Sequence, residues 1–215
     1  VATPINLGVS GLTTDSSDTN LRALMVPGEN IASVFLGTNS IGSGISAATT
    51  YSQLQNKCTE IRALGYKVVV FTIPDRAAGF SGGVDTASFE VARQALNTSI
   101  RTNWATFADA LIDCGSDQIQ TINGNAYNWA VLGGASAAAN DGIYFTDFTH
   151  LAISSHYLLG RAFADTVDVL VGDVSNFANR LAITQLPTVA LEDTLHVARN
   201  DIIGEISSTQ VDVDN

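Results

Sequence analysis

The sequence predicts a three-layer α/β/α domain built on a mostly parallel sheet, followed by a non-helical appendage. Three observations carry that expectation. Apolar strand-like runs alternate with segments whose apolar residues recur at three- and four-residue steps, the signature of βαβ units. The runs are near-continuous in Val and Ile, as strands buried on both faces require. The polar, glycine-rich stretches fall directly after the runs, where an open α/β sheet carries its ligand site.

Taken in order, Pro4 to Val9 reads as the first strand and about Asp18 to Met25 as the first helix. Ile31 to Leu36 is the second strand, leading into the glycine-rich loop Gly37 to Gly44. Ser46 to Leu64 is a helix, with Gly65 placed where a C-terminal cap needs a left-handed residue. Lys67 to Ile73 is the third strand, stopped by Pro74 and followed by Asp75-Arg76. A third helix, about Thr86 to Thr102, places Phe89, Ala92, Leu96 and Ile100 on one side, and Ala108 to Asp113 is the fourth strand. Gly115 to Asn140 reads as one long irregular connection, of the kind that often carries function. About Leu151 to Val171 is an amphipathic helix. We divide the chain into a domain over 1–172 and an acidic extended or β-forming tail over 173–215. Residues 171 to 215 hold seven acidic and two basic residues without helical periodicity. Such a segment has too little apolar surface to fold alone and is expected to dock on the domain or on a neighbouring chain.

Composition narrows the function classes. The 215 residues are 46% apolar, enough for one well-buried domain. With 21 acidic against 10 basic residues the net charge is -11, which repels phosphate backbones and anionic lipid, so nucleic acid is not an expected partner. No run of 18 apolar residues exists, so no membrane span is expected. The chain begins at Val1 with neither an initiator Met nor a signal-peptide pattern, and so reads as processed or truncated. The two cysteines, Cys58 and Cys114, belong to no Cys-x-x-Cys or Cys/His cluster, so no structural metal or other cofactor is expected. Cys58 shares a helical face with Tyr51, Leu54 and Ile61, which favours a core thiol over a disulfide to Cys114.

The residues that carry chemistry are Asp147-Phe148-Thr149-His150. An Asp three residues before a His lets one short turn hold a catalytic base and the carboxylate that orients it. The alternative is an N-terminal helix cap beside a first-turn surface His. Three loops after strands are expected to converge on one rim, the third being Pro74-Asp75-Arg76 after the third strand. Gly8 to Thr14 follows the first strand, and Gly37-Thr38-Asn39 follows the second. Gly11 lets a backbone N–H approach a substrate, and Asn39 presents an uncharged NH2. Read blandly, these two are a turn glycine and a loop-capping amide.

Together these blocks resemble the SGNH (GDSL-type) serine hydrolases over roughly Ile5 to Val171. Asn6 to Thr14 is similar to the family's second block, Gly37-Thr38-Asn39 to its third, and Asp147-x-x-His150 to its fifth, in the family's order. The resemblance implies a flavodoxin-like sheet and a serine esterase or deacetylase hydrolysing O-acyl, chiefly acetyl, esters, including those on carbohydrate. It assigns His150 as base, Asp147 as its orienter, and Gly11 and Asn39 as the oxyanion hole. Donors aimed at a developing oxyanion contribute about 3 to 4 kcal/mol each. Two departures stand out. Ser40 occupies the position after the Asn where the family commonly has Asp, which weakens loop bracing. No Gly-Asp-Ser block precedes Gly11, so the nucleophile lies upstream of Val1, or Ser10 has taken over, or the domain is a degenerate hydrolase kept for binding.

The expected partner is an acylated small molecule or glycan, and an acidic surface suits an extracellular or virion-associated protein. A reading of another class is a glycan- or receptor-binding part of a larger assembly such as a phage tail fibre or spike, oligomerising through the tail. His156 and His196 lack a carboxylate at the spacing of Asp147 and read as structural or solvated. Asp75-Arg76 reads as a local ion pair or a rim contact. Asn97-Thr98-Ser99 matches a glycosylation sequon but lies on a predicted helix and is set aside.

Overall fold

A computed structural model of the chain describes residues 11–15, 21–27, 30–77, 83–138 and 142–172. The expected strand Pro4 to Val9, Ser10, and the tail with His196 lie outside the described residues. The fold is mixed α/β. Strands β1 (Ile31–Val34), β2 (Lys67–Phe71) and β3 (Ala110–Ile112) form one parallel sheet in the order β1-β2-β3. Ile31 pairs with Lys67 and Val69 with Ala110. The short helix α1 (Thr38–Gly42) follows β1, so the glycine-rich stretch is helical over part of its length. Next come α2 (Ala47–Ala63), α3 (Thr86–Asn103) and, after β3, α4 (Ala130–Gly133) and α5 (Ile153–Val171).

The local chemistry explains the helix ends. Ser46 caps α2 by accepting the Thr49 N–H at 3.1 Å, and Asp85 caps α3 by accepting the Ser88 N–H at 2.9 Å. Gly172 ends α5 in the left-handed conformation. The expected helix over 18–25 is reduced, among its described residues, to one 3-10 turn, Leu21–Leu24.

The stretch after Gly115 is not irregular, contrary to expectation. It contains an antiparallel hairpin, β4 (Ile119–Ile122) and β5 (Asn125–Asn128), and then α4. The hairpin turns on Asn123-Gly124, both with positive φ, as a two-residue turn matched to strand twist requires. Gln120 ties it to β3, accepting the Asp113 N–H at 2.9 Å and donating to the Leu111 carbonyl at 2.8 Å. Tyr127 and Asn125 both donate to the buried Asp165 carboxylate of α5.

Side-chain alternation along β2 divides the interior. Val68 and Val70 join one apolar cluster with Leu54, Cys58 and Ile61 of α2 and Phe89, Leu96 and Ile100 of α3. Val69 and Phe71 join another with Ile112, Trp129, Leu159 and Ala162. The two thiols are free, buried and in different clusters.

Helix α3 carries more than its apolar face. Arg93, Asn97 and Arg101, one turn apart, reach across to the strand ends. Arg93 is fully buried, paired with Glu90 at 2.6 Å, and donates to the carbonyls of Ile73 at 2.9 Å, Gly115 at 3.1 Å and Gly133 at 3.2 Å. Asn97 donates to the Ile73 carbonyl at 2.9 Å and accepts the Ile73 N–H at 2.8 Å. Arg101 pairs with Asp113 and donates to the Gly115 carbonyl at 3.0 Å. A buried guanidinium is tolerated only when paired and fully hydrogen-bonded, and here that requirement fixes the backbone leaving β2. Asn97 is thus a buried structural amide.

Candidate active site

The Asp147 turn is built from its own hydrogen bonds. Asp147 Oδ1 accepts the N–H of His150 at 2.8 Å and of Thr149 at 3.2 Å, an Asx turn closed on itself. Its other oxygen, Oδ2, meets His150 Nδ1 at 2.7 Å. A carboxylate only accepts, so Nδ1 carries the hydrogen, and in the neutral ring Nε2 is then the acceptor. The backbone N–H of His150, then its ring, hold the Asp147 carboxyl below its ordinary range. The turn sits in a small antiparallel loop. Thr146 N–H donates to the His150 carbonyl at 2.8 Å, Phe145 bridges Leu151, and Ala152 N–H donates to the Tyr144 carbonyl at 2.8 Å. Phe148 takes φ 64°, a left-handed conformation uncommon for a bulky residue, and its carbonyl accepts the Ala77 N–H at 2.8 Å. His150 therefore precedes α5 instead of lying in its first turn. The pair is open to water, with side chains 75% and 54% exposed for His150 and Asp147.

The segment after β2 supports this turn. Asp75 is buried, its Oδ2 accepts the Ala138 N–H at 3.0 Å and its own N–H donates to the Leu132 carbonyl at 2.8 Å. Arg76 is influenced by Asp147: partial burial pushes the guanidinium down, and the Asp147 charge pulls it back up.

The two expected oxyanion loops are joined. Asn39, the second residue of α1, donates from Nδ2 to the Leu12 carbonyl at 3.1 Å. One N–H of that amide is thereby used, and its second makes no bond among the described residues. Ser40 Oγ accepts the Thr14 N–H at 2.9 Å and lies 3.0 Å from Thr14 Oγ1, which also donates to Gln53 at 2.6 Å. Ser40 is fully buried and braces the loop, so the absence of an Asp at that position does not leave it loose. Gly11 has φ 78°, and a Cβ there would meet nothing within 4 Å. Backbone conformation, and not close approach of a neighbour, is what selects glycine. Gly37 needs glycine twice over, with φ 131° and a Cβ that would lie 3.1 Å from Leu96 and 3.2 Å from Ile73.

A cleft of about 270 Å³ opens beyond the carboxyl ends of β1 and β2, lined by Phe35, Thr38, Pro74, Asp75, Thr149, His150, Leu151 and His156. The structure thus brings His150 and Thr38 to one cavity. Asn39, one residue on, is not in its lining, and neither is Gly11. Among the described residues no serine lines it; its hydroxyls are those of Thr38 and Thr149. Phe35 and His156 were not read as site residues in the sequence, and Asp75 was read only as part of a local ion pair or a rim contact; the folded course of β1, β2 and α5 assembles them. Comparison of the chain with protein-family models, curated proteins and solved structures gives no match.

Proposed function

We propose that this protein is an SGNH-type serine esterase or deacetylase on the three-layer α/β/α fold, cleaving short O-acyl esters. The observation that carries the reading is the Asp147–His150 couple, ring nitrogen to carboxylate at 2.7 Å, with His150 lining a cleft that Thr38 also lines. An imidazole tied at Nδ1 and open at Nε2 is the form that accepts a nucleophile's proton and returns it to the leaving alcohol. On this reading the donors for the carbonyl oxygen are the second N–H of the Asn39 amide and the Gly11 loop to which that amide is bonded, one residue beyond Thr38 of the cleft lining. Ser10, which stands beside that loop in sequence, is one candidate for the nucleophile, and the labelling below locates it.

Free imidazole cleaves activated esters directly, so hydrolysis of p-nitrophenyl acetate alone does not decide the matter. The test is a fluorophosphonate probe on the full chain, with peptide mapping of the label, beside p-nitrophenyl acetate turnover. We expect one labelled serine, and loss of both labelling and saturable turnover in His150→Ala. Labelling that is absent, or equal in the wild type and His150→Ala, would refute the reading.

A further inference from the structure

We infer that His156 reads the alcohol half of the substrate, a specificity role that rests on the esterase reading above. The cleft has two flanks and a floor. Phe35 and Thr38, from the end of β1 and the start of α1, form the flank continuous with Asn39 and its bond to Leu12. His150, Leu151 and His156 form the opposite flank, on the approach to α5 and its first turn, with Pro74 and Asp75 between.

The chemistry assigns the two halves of an ester to these flanks. The base that takes the nucleophile's proton hands it to the leaving oxygen, so the leaving alcohol lies against His150. The carbonyl oxygen points to the donors on the Thr38 side, and the acyl chain runs toward Phe35 and Pro74. On the alcohol side, the Thr149 N–H is taken by Asp147, Leu151 is apolar, and the His150 ring is committed to Asp147. The Thr149 hydroxyl and the His156 ring are the polar side-chain groups left there among the described residues, and of the two the ring alone offers a nitrogen that can accept and one that can donate on separate edges. His156 is exposed, and its backbone N–H is spent on the Ala152 carbonyl at 3.1 Å, which fixes the residue in the helix while leaving the ring to the cleft.

Imidazole presents nitrogens on two edges and meets adjacent hydroxyls with hydrogen bonds, whereas an aryl alcohol offers it only ring-on-ring contact. Size agrees. The cleft is about twice the roughly 150 Å³ that encloses a benzene ring, room for one six-membered ring and a two-carbon acyl group. The substrate class is therefore a short-chain ester of a polyhydroxylated ring.

The experiment compares methyl 6-O-acetyl-glucoside with 4-methylumbelliferyl acetate, using the full chain and its His156→Ala and His156→Gln variants. Alanine at an exposed helical site favours folding. We expect His156→Ala to raise KM for the sugar ester about five- to tenfold with little change in kcat. The aryl ester should be affected severalfold less, and His156→Gln, which keeps a donor and an acceptor, should recover most of the loss. Equal effects on both esters, or no effect on either in an active enzyme, would overturn the role of His156 and leave the esterase reading standing. A wild type that turns over neither ester removes both.

Discussion

Replacing Asn97 with Leu tests whether the polar spine of α3 holds the cleft floor. Asn97 is fully buried and makes two good bonds to one residue, accepting the Ile73 N–H at 2.8 Å and donating to its carbonyl at 2.9 Å. Leucine has similar bulk and no polar atoms. The carbonyl keeps its bond from Arg93 at 2.9 Å, so its loss is about 1 kcal/mol. The Ile73 N–H keeps no partner, and an orphaned buried donor costs about 1 to 3 kcal/mol. A branched side chain also fits poorly against Gly115, where even an added Cβ would sit 2.5 Å from the Asn97 amide. The total is about 3 kcal/mol. For a domain of this size that corresponds to a fall of roughly 6 to 12 °C in Tm. Thermal unfolding followed by circular dichroism measures it, with Thr98→Ala, on the exposed side of the same turn, expected to stay within about 2 °C. An Asn97→Leu protein that melts within 3 °C of the wild type would refute the claim that this amide supports Ile73-Pro74-Asp75.

Three further outcomes follow from the site and the core. Asp147→Asn offers its NH2 where Oδ2 now lies, forcing Nδ1 to accept and moving the ring hydrogen to Nε2. A buried triad loses about 10⁴ in kcat from this exchange, and for a pair as exposed as this one we expect about 10² to 10³, read from steady-state ester kinetics; a change under threefold would refute it. Ellman's reagent should find no reactive thiol in the native chain and two after unfolding, because both cysteines are free and buried. Burial pushes the Cys58 thiol from its ordinary 9.0 up to about 12. In that window the unfolded chain releases a proton that the native one keeps, so stability is present below about pH 9 and declines as pH rises toward 12. The decline should be smaller in Cys58→Val, and equal unfolding free energies from urea titrations at pH 8 and 10.5 would contradict it.

The elements legible in the sequence were those whose signals are local and agree with one another. Ser46 and Gly65 bracket α2, the Val-rich run marks β2, and Asp147-x-x-His150 needs only a three-residue turn to bring its groups into contact. The hairpin was missed although Asn123-Gly124 is a strong turn signal, because its strands are only four residues long and carry few apolar residues; the alternation of burial along both is set largely by polar side chains and shows only in the fold. Arg93, Asn97 and Arg101 repeat every turn along α3 and so resemble a solvated stripe; their burial depends on carbonyls from Ile73, Gly115 and Gly133, distant in sequence. His156 and Asp75 entered the cleft for the same reason, through the folded paths of α5 and β2. Ser40 shows the opposite case. Its substitution for a bracing carboxylate suggested a loose loop, and a serine hydroxyl bonded to Thr14 performs the bracing instead.

The alternation along β2 has a consequence for how the domain comes apart. Val68 and Val70 belong to one apolar cluster, Val69 and Phe71 to the other, so a single five-residue strand is the party wall of both. Stripping α5 away would wet one side of that wall and peeling off α2 and α3 the other, and either loss leaves the same strand half-uncovered. Neither half of the sandwich can persist as a residue of the other's collapse, and the described fold should therefore disassemble in one step, with no long-lived half-melted form for proteases to find.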